Sequence, residues 1–528
     1  MAGNHASFWG LAVVPVYLCV TLLIGCVARR KDSSSNDFLN ASRSLPFWVV
    51  ASAFFSVNCG ALEIVGLSAV AAQYGVQAFH FYWIGAIPGM ILLGGVMIPL
   101  YMRSGVRSLP EYLERRFDGR VRLINAWLLL ITGTALSGIG LYAMAQALSA
   151  VFAWPFESST IMVACVVAAY VYLGGLRATI YNEVFRVVIF VVGLLPLLWL
   201  PTTSLRPPPS LPGFQGHLWL GLPPISPSAT LDQFGVIVGL GFVLSFSYWC
   251  TDFVLIQRAL TAQNISEGQL VPIFAGFAKI LFAFLVICPA LGAGAYWGAR
   301  TPPSFDQTLP ALMAASYSPL LLGLGLTVLL SSLMSALASN VSAFSALWTE
   351  EIYRRSIRKQ ASEIHYLRVG RASILAAVSL SVATSNVAFR FHDLMEYVQL
   401  LFSLFSAPFF AIFLLGFFTR RTTSRGALVG LSGGILVALL HLSLSASHRI
   451  VYGSTMTANF YIAISGFAVA LLTATAFSRR DERKGAGTLN SLTYGSGKVG
   501  AVASPSPLWW IMAGMLLISC GLLNYIWR

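Results

Sequence analysis

Ser56-Val57-Asn58-Cys59-Gly60-Ala61-Leu62-Glu63 lies inside a long apolar run near residues 46–73, and it breaks that run with small and polar side chains. Hydrocarbon offers no hydrogen bonds, so irregular backbone at membrane depth is tolerated only beside a cavity or inside protein. An ordinary polar contact between helices is the competing reading. Glu63 adds a carboxylate within a span, and ionisable groups there are costly enough to mark function.

The residues around this stretch have the same character. Of 528 residues, 57% are hydrophobic and only 10% charged, with a mean hydropathy of +0.76. A soluble surface needs more charge than that. A helical span takes about 20 apolar residues, whereas membrane strands show short alternating segments. The runs here are long and continuous, so the expected fold is an all-α integral membrane protein. About fourteen spans are predicted, near 8–28, 46–73, 80–102, 121–152, 157–175, 179–201, 231–257, 268–297, 309–350, 365–388, 393–418, 424–446, 458–477 and 507–526. An even number puts both termini on one face.

Charge tests this arrangement. With the N-terminus outside, 26 of the 33 Lys and Arg fall on inner connections or helix ends and five on outer ones, while Arg186 and Lys279 lie within spans. Such a bias is the positive-inside pattern. It also accounts for the net charge of +14 without nucleic acid. No Lys or Arg precedes the first apolar run, and Arg29, Arg30 and Lys31 follow it. That polarity is the reverse of a signal peptide, so a retained helix is expected. The seven cysteines form no CxxC spacing, and neither a disulfide framework nor a zinc site is indicated.

The Pro-, Ser- and Gly-rich segment Thr202–Thr230 reads as an outer linker between two helical blocks. The expected divisions are 1–45, an extra N-terminal helix and inner loop; 46–201 and 231–418, two five-helix blocks; 202–230, the linker; and 419–528, additional C-terminal helices. Five plus five is the pattern an inverted-repeat transporter shows. Arg479–Ser506, polar and Gly-rich, reads as an inner loop.

Four ionisable residues stand out inside spans: Glu63, Glu183, Asp252 and Lys279. Asp252 closes Ser247-Tyr248-Trp249-Cys250-Thr251-Asp252 and either pairs with Arg258 or borders a site. The aromatic pair Tyr248-Trp249 suits packing, and equally a polyhydroxylated ligand whose C–H face stacks while its hydroxyls bond. Lys279 either snorkels to the inner surface or neutralises a carboxylate or ligand. Ser331, Ser332, Ser335, Ser339, Asn340, Ser342 and Ser345 recur on one otherwise apolar helix. Hydroxyls three and four apart share a face, which serves a hard cation or tight helix packing.

At these residues the chain resembles the sodium:solute symporter family, which includes the sodium/glucose cotransporters. The resemblance rests on Tyr248-Trp249-Cys250-Thr251-Asp252 with Ile256-Gln257-Arg258-Ala259-Leu260-Thr261-Ala262-Gln263-Asn264, and on Leu109-Pro110-Glu111-Tyr112-Leu113-Glu114-Arg115-Arg116-Phe117. Leu173-Gly174-Gly175-Leu176 with Tyr181-Asn182-Glu183, and Ser332-Leu333-Met334-Ser335-Ala336 with Thr349-Glu350-Glu351-Ile352-Tyr353, extend it over about residues 35–425.

What the resemblance implies is a LeuT-type 5+5 inverted repeat and sodium-driven symport of a small polar solute, a sugar first, by alternating access. Asn58, Lys279 and Gln399 match polar sugar-site positions; Tyr248, beside Trp249, matches the stacking aromatic, and Ser245 another site-lining position. The coupling ion, Na+, would be held by Ser56, Cys59, Ser332, Ser335 and Ala336, with Glu183 beneath on an ion route. No organic cofactor is implied. Three positions depart from the pattern: Glu63 replaces a site histidine, Tyr82 a glutamate, and Ala336 a serine whose hydroxyl would bind the ion. Proton coupling through Glu63 or Glu183 is therefore an open alternative. Sodium linking the first and eighth core helices would favour an outward-open pocket, where substrate meets Asn58, Glu63, Lys279, Gln399 and Tyr248. A multi-pass protein of the plasma membrane, both termini outside, is expected.

Other classes fare poorly. No GxxxxGK[ST] loop is present, so nucleotide is not the energy source. The seven histidines are scattered without HExxH spacing, which argues against a metalloenzyme, and no channel filter is evident.

Overall fold

The structure is a computed structural model that describes residues 8–29, 45–60, 62–106, 108–152, 154–198, 231–297, 305–387, 394–478, 492–493 and 505–526. The expected linker Thr202–Thr230 and most of the expected loop Arg479–Ser506 lie outside these residues. Every regular element among the described residues is helical. Eleven helices are long and apolar enough to cross a membrane, and two bent pairs raise the number to as many as thirteen. The first helix, α1 (Phe8–Arg29), contributes a further apolar stretch over Val13–Val27.

Two compact units divide the chain. The first comprises Met1–Ala78, Gly133–Gly216 and Ala278–Met395; the second comprises Phe79–Thr132, His217–Phe277 and Glu396–Arg528.

In the first unit, α2 (Phe47–Asn58) ends at the interruption seen in the sequence, and helix resumes in a wide π-helical turn at Leu62–Gly66 before α3 (Leu67–Tyr74). The two arms of this broken helix are bent by 51°. In the second unit lie α4 (Phe81–Arg103), the short α5 (Leu109–Arg116) and the start of α6 (Gly119–Phe152). Helix α7 (Phe156–Leu194) belongs to the first unit and carries two apolar stretches, Phe156–Leu173 and Leu176–Leu198. These match the two spans expected there, with helical geometry continuing through Gly174-Gly175 between them.

The second unit holds the other broken helix. Helix α8 (Gly235–Thr251) and α9 (Phe253–Ala259) meet at Asp252 with a bend of 54°. Asp252 is extended (φ −69°, ψ 122°), and its carboxylate accepts the Leu255 N–H at 3.0 Å. An N-cap satisfies amides that the broken helix leaves free. Asp252 therefore starts α9, while Arg258 donates to its neighbour Gln257 at 3.0 Å.

Next come α10 (Ile265–Trp297), α11 (Thr308–Ser316) and α12 (Pro319–Ala346). The single span expected over 309–350 is thus two helices. Pro319 explains the division, because proline lacks the N–H needed inside a helix and is well placed in a first turn. Ser318 precedes it as N-cap residue. Helices α13 (Glu363–Ser385), α14 (Leu394–Phe418), α15 (Ser424–Ala446), α16 (Thr455–Ala476) and α17 (Pro507–Ile526) complete the order.

Packing within each unit relies on small residues, as lipid-embedded helices require. In the second unit, a Cβ at Gly434 would sit 2.7 Å from Ala470 Cβ and from the Gly466 carbonyl oxygen, and one at Gly430 2.6 Å from Ala474 Cβ. Helices α15 and α16 therefore touch backbone to backbone. Helix α5 is tied to the end of α14 by Arg116, which donates to the carbonyls of Gly416, Thr419 and Thr422 at 2.9, 2.7 and 3.2 Å. In the first unit α7 lies along α12, with Tyr170 donating to Met334 O at 3.3 Å and Thr179 bonded to Ser342 at 3.1 Å.

Candidate functional site

The break after α2 brings its residues against α12 within the first unit. A Cβ built at Gly60 would lie 3.3 Å from Ala336 Cβ and 3.8 Å from Ser332 O. Even an alanine here would make a tighter contact than usual, and α12 would have to give by a few tenths of an ångström. Ser56, Cys59, Ser332 and Ser335 are all buried, and the contact sets Ala336 and the Ser332 carbonyl against the break.

The Ser56 oxygens and the Ser332 hydroxyl are already engaged. Arg186 of α7, 0% exposed, donates from Nε to Ser56 Oγ at 2.9 Å, and from Nη2 to Ser56 O and Oγ, each at 2.8 Å. Its Nη1 donates to Ser331 O at 3.1 Å. The guanidinium lies 5.4 Å from the Phe190 ring centroid, and Phe190 in turn packs on Phe282, whose edge meets Phe55. Ser332 Oγ donates back to Leu329 O at 2.8 Å. Ser335 Oγ is buried with no hydrogen-bond partner among the described residues. A sodium ion and this guanidinium would compete for the same Ser56 oxygens.

Glu183, one turn before Arg186, is fully buried and accepts from Ser339 Oγ at 2.7 Å. The expected ion-route residue is therefore part of the same polar cluster on α7 and α12.

Above Gly60, the π-helical turn carries Glu63, and Lys279 of α10 donates to its carboxylate. The Lys279 side chain is 0% exposed and that of Glu63 19%. A buried ammonium without an anion would be expensive, so Glu63 is the residue that lets Lys279 sit at this depth. Asn58, also buried, ends the helical arm just before the break.

The second unit presents its own set. Tyr248, half-buried near the end of α8, leans on Phe402 with centroids 5.3 Å apart, and Trp249 meets it edge-on at 5.4 Å. Gln399 stands one turn before Phe402 on α14 and is buried, which places it on the Tyr248 side of that helix. Ser245 is one turn before Tyr248; a Cβ at Gly85 would lie 2.8 Å from its Oγ, so Ser245 abuts the turn that carries Tyr82. Trp249 presses on Gly89 in the same way, with Cδ1 3.0 Å from a Cβ built there. Ser245, Tyr248, Trp249, Tyr82 and Gln399 thus belong to the second unit, and Asn58, Glu63 and Lys279 to the first.

Wide π-helical turns accompany the candidate residues: Leu62–Gly66 holds Glu63, Phe81–Ala86 holds Tyr82, Gly235–Leu244 precedes Ser245, and Phe402–Ser406 follows Gln399. Such turns are rare and concentrate at functional sites. They have no counterpart in hydropathy. Arg186 is the functional candidate that sequence reasoning passed over. Its signal was present, a permanently charged side chain in an apolar span one turn from Glu183.

Comparison with known proteins matches this architecture. A family profile described as the sodium:solute symporter family matches residues 38–204 and 228–434, and the unmatched stretch between them falls inside Thr202–Thr230. The chain is 28% identical over 495 residues to the sodium/glucose cotransporter 4 of Danio rerio, covering 84% of this chain and 72% of that one. It is 26% identical over 464 residues to the sodium/glucose cotransporter of Vibrio parahaemolyticus, covering 82% and 85%. Among solved structures, the substrate-bound outward-open state of a Na+-coupled sialic acid symporter superposes with a TM-score of 0.73 at 18% identity, covering 89% of this chain and 98% of that one. The fold is accordingly the LeuT-type helical fold.

Proposed function

Since the chain belongs to the sodium:solute symporter family, and is a multi-pass membrane transporter rather than an enzyme, we propose that the solute it carries together with sodium is a small, neutral, polyhydroxylated one, a sugar in the first place. The observation that carries this reading is the Glu63–Lys279 pair. Each residue alone would give the site a net charge and favour an ionic solute. Paired, they leave hydrogen-bonding capacity with no net charge, which suits a ligand rich in hydroxyls.

Asn58, Glu63, Lys279, Ser245, Gln399 and Tyr82 are proposed, as the resemblance implies, to bind such hydroxyls. Tyr248, its ring half-buried on Phe402 and edged by Trp249, supplies a face against which a sugar's C–H surface stacks. The sugar cotransporter names of the two relatives support the same class. Alternating access delivers the solute, and the ion gradient drives it. A unit charge crossing 100 mV carries about 2.3 kcal/mol. No organic cofactor enters this scheme. The positive-inside bias supports a plasma-membrane orientation with both termini outside.

A second reading, proton coupling, is favoured by one observation: Glu183 is a carboxylate sunk entirely within the protein, with Ser339 as a hydrogen-bond donor.

The test of substrate class is competition. Uptake of labelled hexose into proteoliposomes is measured with excess unlabelled neutral sugars, polyols, amino sugars and cationic or anionic metabolites. Neutral hydroxylated compounds are expected to compete best. A panel in which only charged compounds compete overturns the reading.

A further inference from the structure

The contact between α2 and α12 contains a cation already. All three guanidinium nitrogens of Arg186 point into it, and they satisfy the backbone oxygen and hydroxyl of Ser56 and the backbone oxygen of Ser331 at 2.8–3.1 Å. Arg186, Ser56 and Ser331 are each 0% exposed. Glu183 stands one turn earlier on the same helix, α7.

One turn after Ser331 on α12 stand Ser335 and Ala336, which the resemblance implies as ion ligands. Ser335 Oγ is buried and has no hydrogen-bond partner among the described residues. Ala336 offers a methyl group where the resemblance implies a hydroxyl. A cage short of one oxygen ligand, next to a side chain that carries its own positive charge, is poorly suited to a second cation. Arginine stays protonated at any physiological pH and prefers planar, multidentate oxygen partners, which Ser56 supplies here.

We propose that Arg186 is a tethered competitor of sodium: its guanidinium occupies the cation position between Ser56 and α12, joins the broken helix to α12 in sodium's place, and must leave before sodium can bind there. This inference rests on the reading of that contact as an ion site of a sodium-coupled symporter. It goes further in making ion affinity a property of a residue outside the expected ligand set. The chemical consequence is weak sodium binding in the native protein and tight binding once the guanidinium is removed. Two positive charges a few ångströms apart in a buried site repel strongly.

The experiment is thermal unfolding of the purified full-length protein in lipid nanodiscs, titrated with sodium chloride against choline chloride at constant ionic strength. Wild type, Arg186→Gln and Arg186→Lys are compared. The expected result is a sodium midpoint at least about tenfold lower for Arg186→Gln than for wild type, with Arg186→Lys, which keeps a cation, close to wild type. Equal midpoints in wild type and Arg186→Gln, or a weaker response in Arg186→Gln, overturn the proposal. So does an Arg186→Lys midpoint as low as that of Arg186→Gln. Should Arg186→Gln fail to fold, the wild-type titration decides: a saturable sub-millimolar response to sodium overturns the proposal, and a weak one supports it. Binding is read without transport, so failure of the proposed solute specificity leaves this result interpretable.

Discussion

Lys279 and Glu63, 216 positions apart in the chain, form a part-buried ion pair in which the ammonium donates to the carboxylate beside a helix break. The pair explains how an apolar helix tolerates a lysine and why an anion stands at the interruption. Removing one partner from such a pair strands the other, whereas replacing both relieves the desolvation cost. Lys279→Met is expected to lower unfolding stability by about 3 kcal/mol or more, and Glu63→Leu/Lys279→Met to recover most of it. Thermal unfolding of both variants checks this, and the double variant is expected to remain inactive in uptake.

Tyr248 rests on Phe402 and is proposed to stack with substrate through its ring rather than its hydroxyl. Tyr248→Phe should keep the KM for sugar near the native value. Tyr248→Ala should raise it about three- to tenfold, matching the ~0.5–1.5 kcal/mol typical of an aromatic contact. Uptake kinetics at varied solute concentration distinguish the two variants. A Tyr248→Phe defect as large as that of Tyr248→Ala would assign the role to the hydroxyl.

Asp252 caps α9 through Leu255 N–H. Asp252→Ala should cost about 0.5–2 kcal/mol, and Asp252→Asn, which keeps an acceptor oxygen, only a few tenths. Equal losses for both, measured by unfolding, would show that the carboxylate charge matters more than the cap.

Gly434 allows α15 to meet α16. Gly434→Val places methyl groups where the Gly466 carbonyl and Ala470 side chain already stand, and overpacking of this kind typically costs about 1–3 kcal/mol. Gly514, where a Cβ meets nothing within 4 Å, provides the control. Gly514→Ala is expected to leave the unfolding temperature unchanged or slightly raised.

Much of this architecture was legible in hydropathy. Apolar runs mark spans because membrane helices must satisfy their backbones internally, and the small polar interruptions at Asn58-Cys59-Gly60 and at Asp252 are where the two broken helices bend. Serine and threonine also mark helix starts, as Ser108, Ser362, Thr423 and Ser454 do by capping α5, α13, α15 and α16. Hydropathy is a local sum, however, and cannot say which distant residue a charge will meet. Lys279 was recognisable as a group needing an anion, but Glu63 could be matched to it only in three dimensions. Arg186 counted merely as one more basic residue until its fork was found on Ser56. Pro319 was the overlooked local signal, since it divides one expected span into α11 and α12.

The sodium gradient is proposed to drive a neutral sugar through this protein, and uptake by proteoliposomes under imposed ion gradients is the decisive test. An inward sodium gradient at uniform pH should drive labelled sugar above its external concentration, and collapsing that gradient should release it. Accumulation driven by a pH gradient alone, with sodium absent or equal on both sides, would rule out sodium as the driving ion and transfer the coupling role to a proton-carrying group such as Glu183.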